Sequence, residues 1–365
     1  MKRFGAMLLL VCILLSGCST WLDGSYYSVK PHEEKQEDFS SDIVAASSYS
    51  TLCRALTGMV HSGTTSGVIS VKNYNQLVLA RDMQYAVEDV KANDPIGAYA
   101  VEEVEFELGT KAGQPAIAVK ISYYHDRAEL QKIHQLEDMN QVKQDIGEAL
   151  DNCDSGVVLY VENYQGLDCI QWVEDYSSLH VDRVMETPQV AVSIYPETGT
   201  SRVLELKFVY QNSRDSLRSM KEQVKTILDV VVADAEMKDG EINKYKAALT
   251  ALPRKLISKD ISLTPAYSLL MHGVGDSKAL ARVYSALCNR LGLNCITVTG
   301  TYQGKPRNWN ILQIDGAYFH LDLLRSLGTG DLRIMTDSQM SGYVWDYAAY
   351  PVCSGVPETK PADGA

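Results

Sequence analysis

What this chain lacks removes several classes of function. No Cys-x-x-Cys pair and no Cys/His cluster occur in its 365 residues, so a zinc centre is not expected. Residues 46–236 hold no glycine-rich phosphate loop, no paired carboxylates and no histidine cluster, and the sequence calls for no cofactor. Basic residues are the minority, 34 against 46 acidic ones, for a formal charge of −12. Phosphate backbones are held by clustered Lys and Arg, so nucleic acid is not an expected partner. What remains is ordinary for a soluble globular protein, with 45% hydrophobic and 22% charged residues, and the acidity reads as solubility. The length suits two or three domains.

The first residues are a leader by pattern. Lys2 and Arg3 precede an apolar run from Phe4 to Leu15, too short for a comfortable membrane span, and the run ends in Leu15-Ser16-Gly17-Cys18. Small residues before a cysteine resemble the lipobox of bacterial lipoproteins. That resemblance implies removal of residues 1–17, lipidation of Cys18 (palmitate among the acyl chains) and an extracytoplasmic protein held on the cell membrane. Each acyl chain contributes about 0.8 kcal/mol per buried CH2. Loss of Lys2 and Arg3 takes the formal charge from −12 to −14, so an anionic leaflet repels the mature chain and the lipid does the anchoring. Residues 18–45 lack apolar periodicity and read as a tether. Export permits disulfides, and six cysteines lie beyond Cys18. Cys295 opens an expected strand and Cys353 lies near the end of the last domain, which favours that pair.

Residues 46–236 carry an internal duplication. Ser66-Gly67-Val68-Ile69 and Asn73-Tyr74 resemble Ser155-Gly156-Val157-Val158 and Asn163-Tyr164, about 90 positions on. Lys120-Ile121-Ser122-Tyr123, Arg127 and Leu130 match Lys207-Phe208-Val209-Tyr210, Arg214 and Leu217, each 87 positions on. Each copy, 46–151 and 152–236, reads strand, helix, two strands, long helix; the long helices are expected over about 127–150 and 213–235. Val104, Phe106 and Leu108 alternate with Glu103, Glu105 and Glu107, as in a half-buried strand. Tyr123, Tyr124, Tyr160, Tyr164 and Tyr210 either offer a binding surface for glycan or peptide or sit half-buried in sheets.

Residues 237–353 form the last unit, followed by a Pro/Gly-containing tail, 354–365. Gly273-Val274-Gly275-Asp276-Ser277 precedes a helix with apolar residues at Leu280, Val283, Tyr284, Leu287 and Leu291, and Gly292 stops it. Asp276 suits the N-cap. Two strands follow, one with Trp309-Asn310 and one with Tyr318-Phe319-His320-Leu321-Asp322, joined by Asp315-Gly316. This stretch resembles the core of the bacterial transglutaminase-like (papain-like) family, where a nucleophilic Cys opens the helix, a His precedes Trp-Asn, and an Asp ends the next strand. The resemblance implies an α+β fold of two repeated α+β units followed by a transglutaminase-like domain. Its three site positions fall on Ser277, Arg307 and Asp322.

Two of those positions, Ser277 and Arg307, depart from the family pattern and remove the acyl-transfer chemistry, while Asp322 fits it. A serine hydroxyl needs an adjacent general base, and arginine cannot serve as one. Asp322 is expected to pair with Arg307. The expected function is a cell-surface pseudoenzyme that binds or scaffolds at the envelope, with a cell-wall peptide, glycan or protein as ligand. Trp309, Asn310 and Tyr318 are expected to wall its cleft, and Arg307 to grip a carboxylate. The alternative is an envelope acyltransferase or peptidase in which His320 or His272 serves Ser277.

Overall fold

The computed structural model describes residues 44–259, 262–327 and 329–356. The leader, Cys18, most of the expected tether and the last nine residues lie outside the described residues. The first sheet-bearing segment contains β1 (Val44–Ala45), α1 (Tyr49–His61), β2 (Ser66–Ser70), α2 (Leu79–Asn93), α3 (Pro95–Ala100), β3 (Val101–Lys111) and β4 (Gln114–Tyr123). Ser48 caps α1 with a side-chain oxygen that accepts from Thr51 N–H. The hairpin from β3 to β4 turns through Ala112 and Gly113, both at positive φ. Leu52, Leu56, Met83 and Val90 of the two helices share a core with Ile69, Ile117 and Val119 of the strands.

The second segment contains α4 (Arg127–Leu130), β5 (His134–Leu136), α5 (Met139–Asp151), β6 (Gly156–Val161), α6 (Cys169–Leu179), β7 (Gln189–Tyr195) and β8 (Arg202–Val209). The strand orders β1-β2-β4-β3 and β5-β6-β8-β7 correspond, and so do the pairing senses: one parallel edge pair, then antiparallel neighbours. Ile69 opposes Ile117 in the first sheet and Leu159 opposes Leu204 in the second, with Ile69, Ile117, Leu159 and Leu204 all fully buried. Register therefore matches Ile69 with Leu159 rather than with Val158.

The expected helix over 127–150 is three elements. Asp126 and Glu129 form a capping box around the single turn of α4. His134–Leu136 then pairs in parallel with β6, and Asp138 starts a new helix by accepting from Asn140 and Gln141 N–H. Val142, Ile146 and Leu150 of α5 lie in the core of the second sheet, so this helix goes with the second segment. The first segment likewise begins at β1, two residues before the expected boundary. Strand β8 is buried on both faces from Val203 to Leu206, because Val203 packs into the first core and Leu204 and Leu206 into the second.

The last segment contains α7 (Arg214–Glu236), α8 (Glu241–Leu249), β9 (Ile257–Ser258), α9 (Pro265–His272), β10 (Val274–Gly275), α10 (Ser277–Arg290), β11 (Cys295–Tyr302), β12 (Lys305–Ile314), β13 (Ala317–Leu321), α11 (Leu323–Ser326), β14 (Ile334–Met335) and β15 (Tyr343–Trp345). An antiparallel sheet runs β14-β13-β12-β11-β15. Leu312 and Leu321 share a core with Leu280, Tyr284 and Leu287 of α10 and with Leu217, Val224 and Leu228 of α7. Helix α7 therefore packs with this last segment and not beneath the second sheet. Val298, Trp309, Ile311 and Trp345 build a separate cluster closed by Met340, Tyr343 and Cys353. The two-residue turn Asp315-Gly316, with both φ positive, joins β12 to β13.

Candidate functional site

Ser277 is the first residue of α10. Asp276 caps the helix, accepting from Ala279 N–H at 2.8 Å. Tyr284, one face of the same helix, is fully buried and donates to the Tyr245 carbonyl at 2.8 Å, while Tyr245 donates to the carbonyls of Asn294 and Gln313. Asn310 donates from Nδ2 to the Ala281 carbonyl at 2.9 Å, tying β12 to the helix. These bonds fix Ser277 against β12. Its Oγ accepts from the backbone N–H of Asn308 at 3.1 Å, and among the described residues no imidazole bonds to it.

Arg307 and Asp322 meet across β12 and the end of β13. Arg307 Nε donates to Oδ2 at 3.0 Å, and Nη2 donates to Oδ1 and Oδ2 at 2.9 and 2.7 Å. The Asp322 side chain is fully buried and also accepts from Leu324 N–H and from Tyr343 Oη. Burial and that bond to Asp322 push the Tyr343 phenol up to about 12. The Nε and Nη2 edge of the Arg307 fork is thus occupied by Asp322.

His320 is equally committed. Its Nδ1 takes the indole N–H of Trp309 at 3.0 Å, and Nε2 faces Asp337 Oδ1 at 2.8 Å. Indole nitrogen only donates, so Nδ1 is the acceptor and the ring proton sits on Nε2, donated to Asp337. The imidazole is fully buried and has no lone pair left for a nucleophile. Burial lowers its affinity for a second proton, with Asp337 opposing. The same tautomer bears on metal binding. His320, Asp337 and Cys353 bring ligand atoms within 4.8 Å of one another, the one such group among the described residues. An Nε2 that carries a proton cannot ligate, and burial first, then Asp337, raises the Cys353 thiol to about 12. The group is a structural clasp: Cys353 N–H donates to Asp337 Oδ2 at 3.0 Å, and Asp337 N–H to the Cys353 carbonyl at 2.9 Å.

The remaining expectations fare differently. His272, at the end of α9, is exposed and stands edge-on to Tyr267. Trp309 and Asn310 are completely buried and wall no open cleft, while Tyr318 packs half-buried against the Trp309 cluster. Cys295 and Cys353 are not joined: both thiols are free, in separate cores. A cavity of about 200 Å³ runs along α10 past Asp276, Lys278 and Arg282, but Ser277 does not line it.

Sequence reasoning missed a groove in the N-terminal part. It holds about 660 Å³ and is lined by His125, Glu129, His134, Asp145 and Glu205 among others. Tyr99 stacks on His125 with ring centroids 4.1 Å apart, and His134 Nδ1 lies 2.7 Å from Asp145. The signal was scattered over both segments, with no local motif. Of the five tyrosines singled out, Tyr124 is the exposed one; Tyr123 donates to Thr64 O, and Tyr160 packs into the first core.

No protein-family model matches the chain, and no curated protein matches it either.

Proposed function

We propose that this chain is an extracytoplasmic lipoprotein, anchored through Cys18, whose two repeated α+β units precede a catalytically inactive transglutaminase-like domain used in binding or scaffolding at the cell envelope. The observation that carries the inactive reading is the pairing of Arg307 with Asp322 where a base and its orienting acid would be needed. Ser277 Oγ accepts from a backbone N–H, and among the described residues no base bonds to it to take its proton. The corresponding strand orders of the first two sheets support the duplication.

Binding is better placed in the groove between the first two segments than at Ser277. Its imidazoles and carboxylates offer the donors and acceptors that a glycan or peptide needs, with the His125 ring braced on buried Tyr99. Co-sedimentation of the full chain with purified cell-wall sacculi tests this. The parent and Ser277→Ala are expected to bind alike and to show equal, background-level peptide turnover, whereas Glu129→Ala with His134→Ala lowers binding. Turnover lost in Ser277→Ala alone would sink the inactive reading. Anchoring is tested separately by metabolic labelling with a palmitate analogue, which Cys18→Ser should abolish while releasing the protein from membranes.

A further inference from the structure

The six cysteines beyond Cys18 are spread unevenly. Cys53 packs against the first core and Cys169 lies in the second, Cys353 lies in the Trp309 cluster, and Cys153, Cys288 and Cys295 share the core beneath α10. Within that core two of them meet. Cys288 is in the last turn of α10 and completely buried; Cys295 is the first residue of β11 and nearly so. The chain between them folds back tightly. Leu291 N–H bonds to the carbonyls of Leu287 and Cys288, Gly292 reverses direction at φ +68°, and Leu293 N–H returns to Cys288 O at 2.9 Å. One turn earlier on the same helix, Ser285 Oγ donates to the carbonyl of Cys295 at 2.7 Å, pinning the strand's start against the helix face that carries Cys288. Both side chains are thereby buried in one core, Cys288 on the helix face to which the start of β11 is pinned.

We propose that Cys288 and Cys295 form an intrachain disulfide in the exported protein, locking the C-terminal end of the Ser277 helix to strand β11. The proposal rests on the export reading for its oxidant, an organic disulfide or a thiol oxidase acting through one. One thiolate attacks a disulfide RSSR, forming a mixed disulfide and releasing RS⁻. The second thiolate attacks the protein-side sulfur and releases the other RS⁻. Two cysteine thiols are oxidised, RSSR is reduced to two RSH, and the thiol protons end on the leaving thiolates.

Timing follows from burial. Exclusion of water, with Cys295 alongside, holds the Cys288 thiol well above its ordinary range, so the folded reduced chain offers almost no thiolate and no path for an oxidant. The bond therefore forms while α10 and β11 are still docking, and once made it is sheltered from reductants.

The test uses the full chain in detergent, reduced and unfolded in guanidinium, then refolded in mixed reduced and oxidised glutathione. Free thiols are alkylated and the protein is digested with trypsin without reduction. Trypsin cuts after Arg290, between the two cysteines, so the peptides bearing them stay together only through the bond. The expected result is that linked pair, lighter by two hydrogens than its reduced parts, with Cys53, Cys153, Cys169 and Cys353 alkylated. Folded reduced chain given the same buffer is expected to stay reduced; rapid linkage there would overturn the timing. Alkylation of both Cys288 and Cys295 after refolding, or linkage of either to Cys353, overturns the geometry whatever the cellular location. A second sample, taken from membranes of cells that export the chain and alkylated at lysis, is expected to carry the same link. Linkage on refolding with none in that sample would overturn the bond in the living cell together with the export reading.

Discussion

At the scale of single residues, the decisive feature is that Arg307, Asp322 and His320 already have partners. Removing Asp322 leaves the Arg307 guanidinium, largely buried, without its carboxylate and takes an acceptor from Tyr343. Asp322→Ala is expected to cost about 3–5 kcal/mol, read as a lowered urea midpoint at unchanged slope. His320 gives a pH signature. Burial holds its folded pKa below the ordinary 6.5, so below that pH the unfolded chain binds a proton that the folded chain refuses. Its contribution is complete above 6.5 and drains away as pH falls toward the folded value. Urea titrations at about pH 7.5 and about pH 5.5 should show a smaller loss of stability on acidification in His320→Gln than in the parent. Equal losses would mean that the imidazole is not held neutral. The pairing of Arg307 with Asp322 was legible in the sequence, because two charges at the expected positions of an acid and a base have little else to do. The fate of His320 was not. Alternation put it on one strand face with Asp322, but that both ring nitrogens are engaged depended on Trp309 and on Asp337, seventeen residues away.

At the scale of elements, local chemistry read well and packing read poorly. Asp276 as N-cap, Gly292 past the end of α10 and the Asp315-Gly316 turn are set by neighbouring residues, and all three are where their chemistry places them. The helix expected over 127–150 failed because an apolar stripe cannot show that three residues, His134–Leu136, gain more by pairing with β6. Asp138 was the visible warning, a capping residue in mid-stripe. Trp309 was read as a cleft wall because exposure is a property of what covers a residue, and its cover, Tyr343 and Trp345, comes from a segment more than thirty positions on. That contact yields a prediction. A Cβ on Gly300 of β11 would lie 2.3 Å from the Val344 carbonyl and 2.6 Å from the Trp309 ring. Gly300→Ala is expected to push β15 off the sheet at a cost of about 1–3 kcal/mol, with a loss of near-ultraviolet circular dichroism from the tryptophans. An unchanged aromatic spectrum would contradict that packing.

Across the whole molecule, the described residues do not divide cleanly at the boundaries that composition suggests. Val203 and Tyr195 of the second segment pack into the first core, and Cys153, Val181 and Met185 of the second segment lie in the core of the last. Cores that share residues unfold together, so calorimetry on the full chain should show one main transition with matching calorimetric and van't Hoff enthalpies. Two well-separated transitions would show that the three segments are independent after all. The same sharing explains why Val203 and Glu205, which alternate along β8 with Leu204 and Leu206, are buried as they are.

Strand β3 closes the first sheet at one edge, eleven residues long and bonded only to β4 among the described residues. A free edge of that length is a template on which a second copy could add a strand, and copies crowded together meet often. Along it stand Glu103, Glu105 and Glu107, exposed on the side turned from the core. Two such edges brought side by side would set like charges against one another, so the row of glutamates acts as a guard against fibre-like self-association. Neutralising it would give a chain that folds as before yet no longer stays dispersed.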